Sequence, residues 1–320
     1  MPVNLNKPEK WKADVQASVD MYNEWFVEFA PAAFRRTRKT ATKSVIETLE
    51  KTNNLKNISP EIFLACPNVL PTLRMSMCPP LAVDRVVGLS GAKKSLVKSL
   101  EIGTLPKRMS REELVAQLGM ISDILQSMVD PDFFTWLGTD ATPTEKDVER
   151  AATVVADRLC GSIANPIIRN AQEARQLKCI EDWLVNRGYS KLPDGHEYDF
   201  ISMPKATFSF RMNVVVDAGE QSDRQVNIPV DAVIMRKDAK PEDMALLVEA
   251  KSAGDFTNTN KRRKEEAQKY SQLKEKYGKG VEFILFLCGY FDSGYLGYEA
   301  AEGIDWVWEH RVSDLDRFDL

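Results

Sequence analysis

Two strand-like segments of this chain carry the residues best suited to chemistry. Ile228-Pro229-Val230-Asp231-Ala232-Val233-Ile234 holds an aspartate in an alternating run, and Leu246-Leu247-Val248-Glu249-Ala250-Lys251 holds a Glu-x-Lys triplet. Strand side chains alternate faces, so Glu249 and Lys251 project together while Ala250 turns away and leaves its backbone carbonyl as a further oxygen ligand. Asp231, Glu249 and Ala250 then form a ligand set for Mg²⁺, which takes oxygen donors from one or two carboxylates and keeps several waters. An ion so held neutralises charge building on a phosphate and lowers the pKa of an attacking water. Lys251 beside it can hold that water or offset negative charge in the transition state. The chemistry implied is hydrolysis of a phosphodiester.

Glu and Lys are common, and a Glu-x-Lys triplet arises by chance about once in a chain of this length. The alternative is therefore an ordinary surface pair. Context favours a site: Asp231 lies in an alternating strand, the 18 positions from Asp231 to Glu249 suit a neighbouring strand, and a polar, basic helix follows. Asp238-Ala239-Lys240 has a similar form, but Pro241 and the surrounding charges interrupt the apolar pattern there and predict a turn.

The elements that must position these residues are legible as periodicities. Apolar residues at Trp11, Val15, Val19, Tyr22, Trp25, Phe26 and Phe29 predict an amphipathic helix over 10–29. Ser110-Arg111-Glu112-Glu113 and Thr142-Pro143-Thr144-Glu145 fit capping boxes, opening helices over about 111–128 and 143–161. Prolines 67, 71, 79 and 80 break the region between into short helices and turns. Asn165-Pro166 opens a further helix to about Arg187, with Ile167, Ala171, Ala174, Leu177, Ile180 and Leu184 along its buried side and Arg169, Glu173 and Gln176 elsewhere. From Thr207 the period changes to two: Phe208, Phe210, Met212 and Val214 mark one strand, 225–235 a second and 244–251 a third. A helix over 259–277 follows, then the apolar run 281–287, which reads as a strand covered on both faces. Trp306 and Trp308 share a strand face and read as packing residues.

With 320 residues and 43% hydrophobic content the chain can bury a sizeable core as one large or two moderate domains. No run has the apolar length of a membrane span, and the first residues lack the apolar stretch of a signal peptide, so the expectation is a soluble, cytoplasmic protein. Cys66, Cys78, Cys160, Cys179 and Cys288 show no Cys-x-x-Cys spacing and read as reduced core cysteines. The net charge of −4 does not suggest a nucleic-acid binder, but its distribution is uneven. Residues 257–280 hold eight bases against three acids, and a second basic stretch holds Arg35, Arg36, Arg38 and Lys39. Either could be a solvated face; beside a metal site, Lys261, Arg262, Arg263 and Lys264 suit phosphates instead. No phosphate-binding Gly-x-x-x-x-Gly-Lys-Ser/Thr loop is present, so no nucleotide cofactor is expected.

Residues 163–312 resemble the PD-(D/E)xK nuclease core, with Pro229-Val230-Asp231 as a PD whose aspartate is displaced by one residue and Glu249-Ala250-Lys251 as the ExK. The stretches 165–173, 258–266 and 303–311, together with 22–26 and 79–85, are similar to type II restriction endonucleases of the XamI group. The resemblance implies an α+β fold: a helical N-terminal half over 1–162, for DNA recognition or dimerisation, and a restriction-endonuclease-like αβββαβ core with a central mixed sheet over 163–320. It implies Mg²⁺-dependent cleavage of double-stranded DNA at a short palindromic sequence by a homodimer, leaving 5′-phosphate ends. It also suggests that Glu173, on the helix before the first strand, supports the metal site; the competing reading pairs Glu173 with Arg169 on that helix. Asn258, Asn260 and the basic residues 261–264 are the expected DNA contacts, Asn and Arg being suited to adenine and guanine edges. Two other functions fit the same residues: a repair or junction-resolving nuclease of this fold, and a DNA-binding protein without catalysis.

Overall fold

The computed structural model describes residues 2–139, 141–217, 225–257 and 259–320, without the side chains of 259–263. Its helices are α1 (Pro8–Lys51), α2 (Pro60–Ala65), α3 (Leu70–Met75), α4 (Val83–Ser90), α5 (Lys94–Glu101), α6 (Arg111–Met128), α7 (Glu145–Asn186), α8 (Thr259–Tyr277) and α9 (Ser293–Glu302). The strands are β1 (Ser190–Lys191), β2 (Thr207–Asp217), β3 (Gln225–Met235), β4 (Leu246–Ala253), β5 (Phe283–Gly289) and β6 (Asp305–Trp308). The chain divides into two compact units, one of residues 30–168 and one of residues 1–29 with 169–320.

The helical unit is held by one apolar cluster that includes Val45, Phe63, Leu73, Leu96, Leu118, Ile121, Phe134 and Val155. Ser110 caps α6, its hydroxyl accepting from the Glu113 N–H. The cap of α7 lies two residues beyond the expected one: Thr144 Oγ1 accepts from Asp147 N–H at 3.3 Å while Asp147 Oδ2 accepts from Thr144 N–H at 3.0 Å. The helices expected over 143–161 and from 165 form one continuous α7 with Pro166 inside it, and α1 likewise runs past Phe29 with Pro31 inside. Proline removes one backbone donor and crowds the preceding turn, which predicts a break from sequence; here the helix persists through it.

The sheet of the second unit runs in sequence order from β1 to β6. β2, β3 and β4 are antiparallel neighbours, and β4, β5 and β6 are parallel. The sequence-predicted helix, three strands, helix and strand are all present, the strand expected at Trp306 and Trp308 is β6, and the short β1 and α9 are added. β5 is buried along its whole length, as a strand covered on both faces must be. Phe283, Leu285 and Leu287 join a cluster with Leu273, Tyr295, Leu296, Trp306 and Trp308 on the α8 and α9 side. Ile284 and Phe286 join Ile180, Trp183 and Leu184 of α7 on the other. Trp306 and Trp308 are thus packing residues, as their shared strand face predicts.

The buried stripe of α7 differs from the expected one. Ile167 and Ala174 are exposed, and Gln172, Gln176, Leu177, Ile180, Trp183 and Leu184 face inward. Two glutamines occupy apolar positions because they satisfy the sheet: Gln176 Nε2 donates to the carbonyls of Lys251 and Phe286 at 3.2 and 3.1 Å, and Gln172 donates to Ser252 Oγ. A periodicity count scores glutamine as polar and so turns the helix.

One strand also departs from simple alternation. β2 and β3 keep antiparallel register from Thr207↔Met235 to Asp217↔Gln225, except where Arg211 would face Asp231. Arg211 has φ +55°, a left-handed conformation that costs a non-glycine residue about 1–3 kcal/mol. It turns the following side chains over: Phe208 and Phe210 pack on the α7 side, whereas Met212, Val214 and Val216 pack on the α8 side. β3 makes the matching change between Val230 and Ala232. Phe208, Phe210, Met212 and Val214 therefore do not form the single face that a period of two predicts.

The N-terminal segment is tied into this unit by Asp305, whose carboxylate accepts the backbone N–H groups of Val3, Asn4 and Leu5. Trp11 packs on Trp306 at 5.5 Å between ring centroids, and Arg311 pairs with Asp14 at 2.6 Å. The five cysteines are free; Cys160 and Cys288 are buried, Cys66 and Cys179 half-buried, and Cys78 is exposed rather than in the core as expected. No helix is long and apolar enough to cross a membrane among the described residues. Asp305→Ala strands three backbone donors in a largely buried setting, so we expect a loss of about 2–4 kcal/mol in unfolding free energy. Denaturant titration with hydrogen exchange at residues 3–7 checks this; unchanged exchange there would show that Asp305 does not hold the segment.

Candidate active site

Glu249 and Lys251 follow Leu247 along β4 at intervals of two, so both lie on the face that packs against α8 and α9. They meet: Lys251 Nζ is 2.9 Å from Glu249 Oε1. The β3–β4 ladder runs from Ile234↔Leu246 to Ala232↔Val248 and goes no further, and its next step would set Asp231 opposite Glu249. The freed Ala250 N–H donates to Asp231 Oδ2 at 2.8 Å. In an extended strand the N–H and C=O of one residue face the same way, so the Ala250 carbonyl also points toward β3. Asp231, Glu249, Lys251 and Ala250 are thus brought together where two neighbouring strands part.

The electrostatics are those of charges forced into an apolar layer. Glu249 is only 6% exposed. Burial first, then the neighbouring Glu249, pushes the Asp231 carboxyl up to about 6, while the Ala250 N–H and Lys251 pull the other way. Burial alone would lower the Lys251 ammonium, but Glu249 and Glu266 outweigh it and hold the group above its ordinary value.

Sequence reasoning missed a shell of α8 and α9 residues around this pair. Lys269 Nζ lies 2.8 Å from Glu249 Oε2 and donates to the Pro229 carbonyl at 2.9 Å. Glu266, 1% exposed, lies 3.6 Å from Lys251 Nζ and accepts from the Tyr295 hydroxyl at 2.5 Å. Burial and the adjacent Glu266 hold the Glu299 carboxyl well above its usual range. In the sequence the α8 residues belong to a polar, charged helix with no marked apolar stripe. The one local signal was the spacing of Glu266 and Lys269, which sets them on one helix face.

Glu173 is paired with Arg211 at 2.8 Å rather than with Arg169, on a helix packed against the other face of the sheet. Its charge still adds to the rise at Asp231, as the smallest contribution. No group of three or more His, Cys, Asp or Glu gathers closely enough to hold a metal ion among the described residues. Of the expected DNA contacts, Asn258 lies outside the described residues, as do the side chains of Asn260, Lys261, Arg262 and Arg263, although the backbone of 259–263 forms the first turn of α8. Lys264 is exposed. Lys240, in the similar Asp-x-Lys, sits in an exposed turn away from any strand.

The sequence profile of the XamI restriction endonuclease family matches residues 53–308. The type II restriction enzyme SalI of Streptomyces albus G is 52% identical over 314 residues, spanning 98% of each chain. The crystal structure of protein VC1899 from Vibrio cholerae shares 12% identity at a TM-score of 0.27, over 87% of this chain and 55% of that one, a likeness too loose to carry an argument. The family profile and the SalI relative define the class as restriction endonucleases, site-specific hydrolases. The chain belongs to the XamI restriction endonuclease family.

The raised Asp231 carboxyl has a consequence for stability. Between about pH 4 and 6 the folded state binds a proton that the unfolded state has released, so stability falls as pH rises through this window and the penalty is complete above it. Asp231→Asn removes the charge and keeps an oxygen for the Ala250 N–H. We expect it to raise stability by on the order of 1–3 kcal/mol at pH 7–8 in chelator and to change little near pH 4. Urea unfolding at both pH values checks this, and equal effects at the two would contradict the assigned cause.

Proposed function

We propose that this restriction endonuclease is a type II enzyme that cuts both strands of DNA at a short palindromic sequence, using Mg²⁺ and leaving 5′-phosphate ends. The observation that carries the reading is the meeting of Asp231, Glu249 and Lys251 where the β3–β4 ladder ends. Two carboxylates with a backbone carbonyl suit an ion that takes one or two carboxylates and completes its shell with water and phosphate oxygens. Asp231, Glu249 and the Ala250 carbonyl would hold it. Such an ion supplies positive charge to the scissile phosphate and makes water a better nucleophile at neutral pH.

Lys251 enters this site as an ammonium, because Glu249 and Glu266 favour its charged form. It therefore donates hydrogen bonds and offsets the growing negative charge rather than taking a proton from water. Attack in line forms the new bond from water oxygen to phosphorus, the water's proton passing to solvent, and breaks the bond to the 3′ oxygen, which leaves with a proton from solvent. The 5′-phosphate remains on the downstream strand. A homodimer would present two such sites related by a two-fold axis, matching the symmetry of a palindrome. The helical unit would serve DNA recognition or dimerisation, and Glu173 would tune the site from the α7 side through its effect on Asp231.

With plasmid and Mg²⁺, we expect discrete fragments whose ends ligate without added phosphate; a smear, or full cutting in excess chelator, would sink the reading. Asp231→Ala, Glu249→Ala and Lys251→Ala should each slow cleavage by roughly 10³-fold or more, since the groups act as a unit. Lys240→Ala should cut at nearly the wild-type rate.

The first turn of α8 with Lys264 is the proposed phosphate-binding surface. Replacing Lys261, Arg262 and Arg263 together by Gln should weaken DNA binding and flatten its salt dependence by roughly 0.9 for each phosphate that is no longer neutralised. Filter binding in Ca²⁺ across a salt series measures the slope; an unchanged slope returns these residues to a solvated face.

A further inference from the structure

Both oxygens of Glu249 are held by ammonium groups: Oε1 by Lys251 at 2.9 Å and Oε2 by Lys269 at 2.8 Å. A divalent ion coordinating Glu249 takes an oxygen that one of these lysines holds. The two lysines are not equally tied. Lys251 is shared with Glu266, which is 1% exposed, and releasing Lys251 would leave the buried Glu266 carboxylate without this cation, whereas Glu249 would keep Lys269. The second partner of Lys269 is the neutral Pro229 carbonyl. Lys269 also borders a groove lined by Asn227, Ile228, Pro229, Glu265, Gln268 and Gln272, which opens to solvent, and it shares α8 with the exposed Lys264. Its ammonium, on a flexible four-carbon stem, can therefore move from the carboxylate into that groove without leaving an unpaired acid.

We propose that Lys269 is a third cationic group of the active site, which competes with the divalent ion for Glu249 and, once released, pairs with a phosphate of the bound DNA. The inference rests on the assignment of Glu249 to the metal. It makes metal loading and DNA binding mutually supportive: the ion frees a positive charge for the phosphate, and the phosphate keeps that charge off Glu249. By linkage the effect is reciprocal.

Mn²⁺ binding to the full-length protein without DNA, followed by electron paramagnetic resonance, tests the competition in wild type, Lys269→Met, Lys269→Arg and Glu249→Gln. Lys269→Met should bind Mn²⁺ roughly 5-fold or more tightly than wild type, while Lys269→Arg, which keeps the charge, should stay close to it. If Met at this position does not fold, as judged by circular dichroism, Lys269→Gln gives the same comparison. In Ca²⁺, Lys269→Met should bind DNA with a salt slope shallower by about 0.9. Unchanged or weaker Mn²⁺ binding by Lys269→Met, with binding lost in Glu249→Gln, overturns the competition and leaves the metal assignment standing. Wild-type Mn²⁺ binding by Glu249→Gln overturns both. Tighter Mn²⁺ binding with an unchanged salt slope overturns the pairing with phosphate.

Discussion

The site is governed by the alternation of β4. Because successive side chains take opposite faces, the residues in step with Leu247 and Ala253 must share their apolar layer, and two of those residues are Glu249 and Lys251. A charge taken out of water costs several kcal/mol unless it is paired. Every group around the pair answers that demand. Lys251 and Lys269 take one oxygen each of Glu249, Glu266 offsets Lys251, the Tyr295 hydroxyl donates to Glu266, and burial together with Glu266 holds the Glu299 carboxyl above its usual range.

Such a network is costly to build and is kept where charge has work to perform. An apolar β4 would pack with fewer constraints, and the carboxyl of Asp231, raised by burial and by Glu249, is destabilising at neutral pH without a cation. Strain at Arg211 lies at the same place. Its left-handed backbone faces Asp231 across the β2–β3 ladder, and there both strands exchange the faces they bury. The end of the β3–β4 ladder beside it frees the Ala250 N–H for the Asp231 carboxylate. Stability is given up locally, and the long buried strand β5 and the clusters on both faces of the sheet hold the geometry against it.

Much of this was legible in the sequence wherever one local rule decided the outcome. Strand 225–235, the helix over 259–277 and the packing role of Trp306 and Trp308 follow from periods of two and of three to four and lie where those periods put them, while the strand expected over 244–251 starts and ends two residues later, at 246–253. The meeting of Asp231 with Glu249 and Lys251 follows from strand alternation together with adjacency of β3 and β4. Cap position was less legible, since Thr142 and Thr144 both precede suitable residues and only the chosen helix start separates them.

What the sequence by itself determined is the set of groups and their local spacing: a Glu-x-Lys on one strand face, an aspartate one strand away, and a charged helix after them. Tertiary structure decided what those charges touch. Lys269 and Glu266 lie on a helix whose local pattern does not say which acids or bases will face it, and Gln172 and Gln176 are buried because distant backbone and hydroxyl groups accept from them. Pairing of Glu173 with Arg211 instead of its helical neighbour Arg169 has the same origin. Alternation and helical period are properties of adjacent residues, whereas the pairing of a buried charge is set by whichever element packs over it.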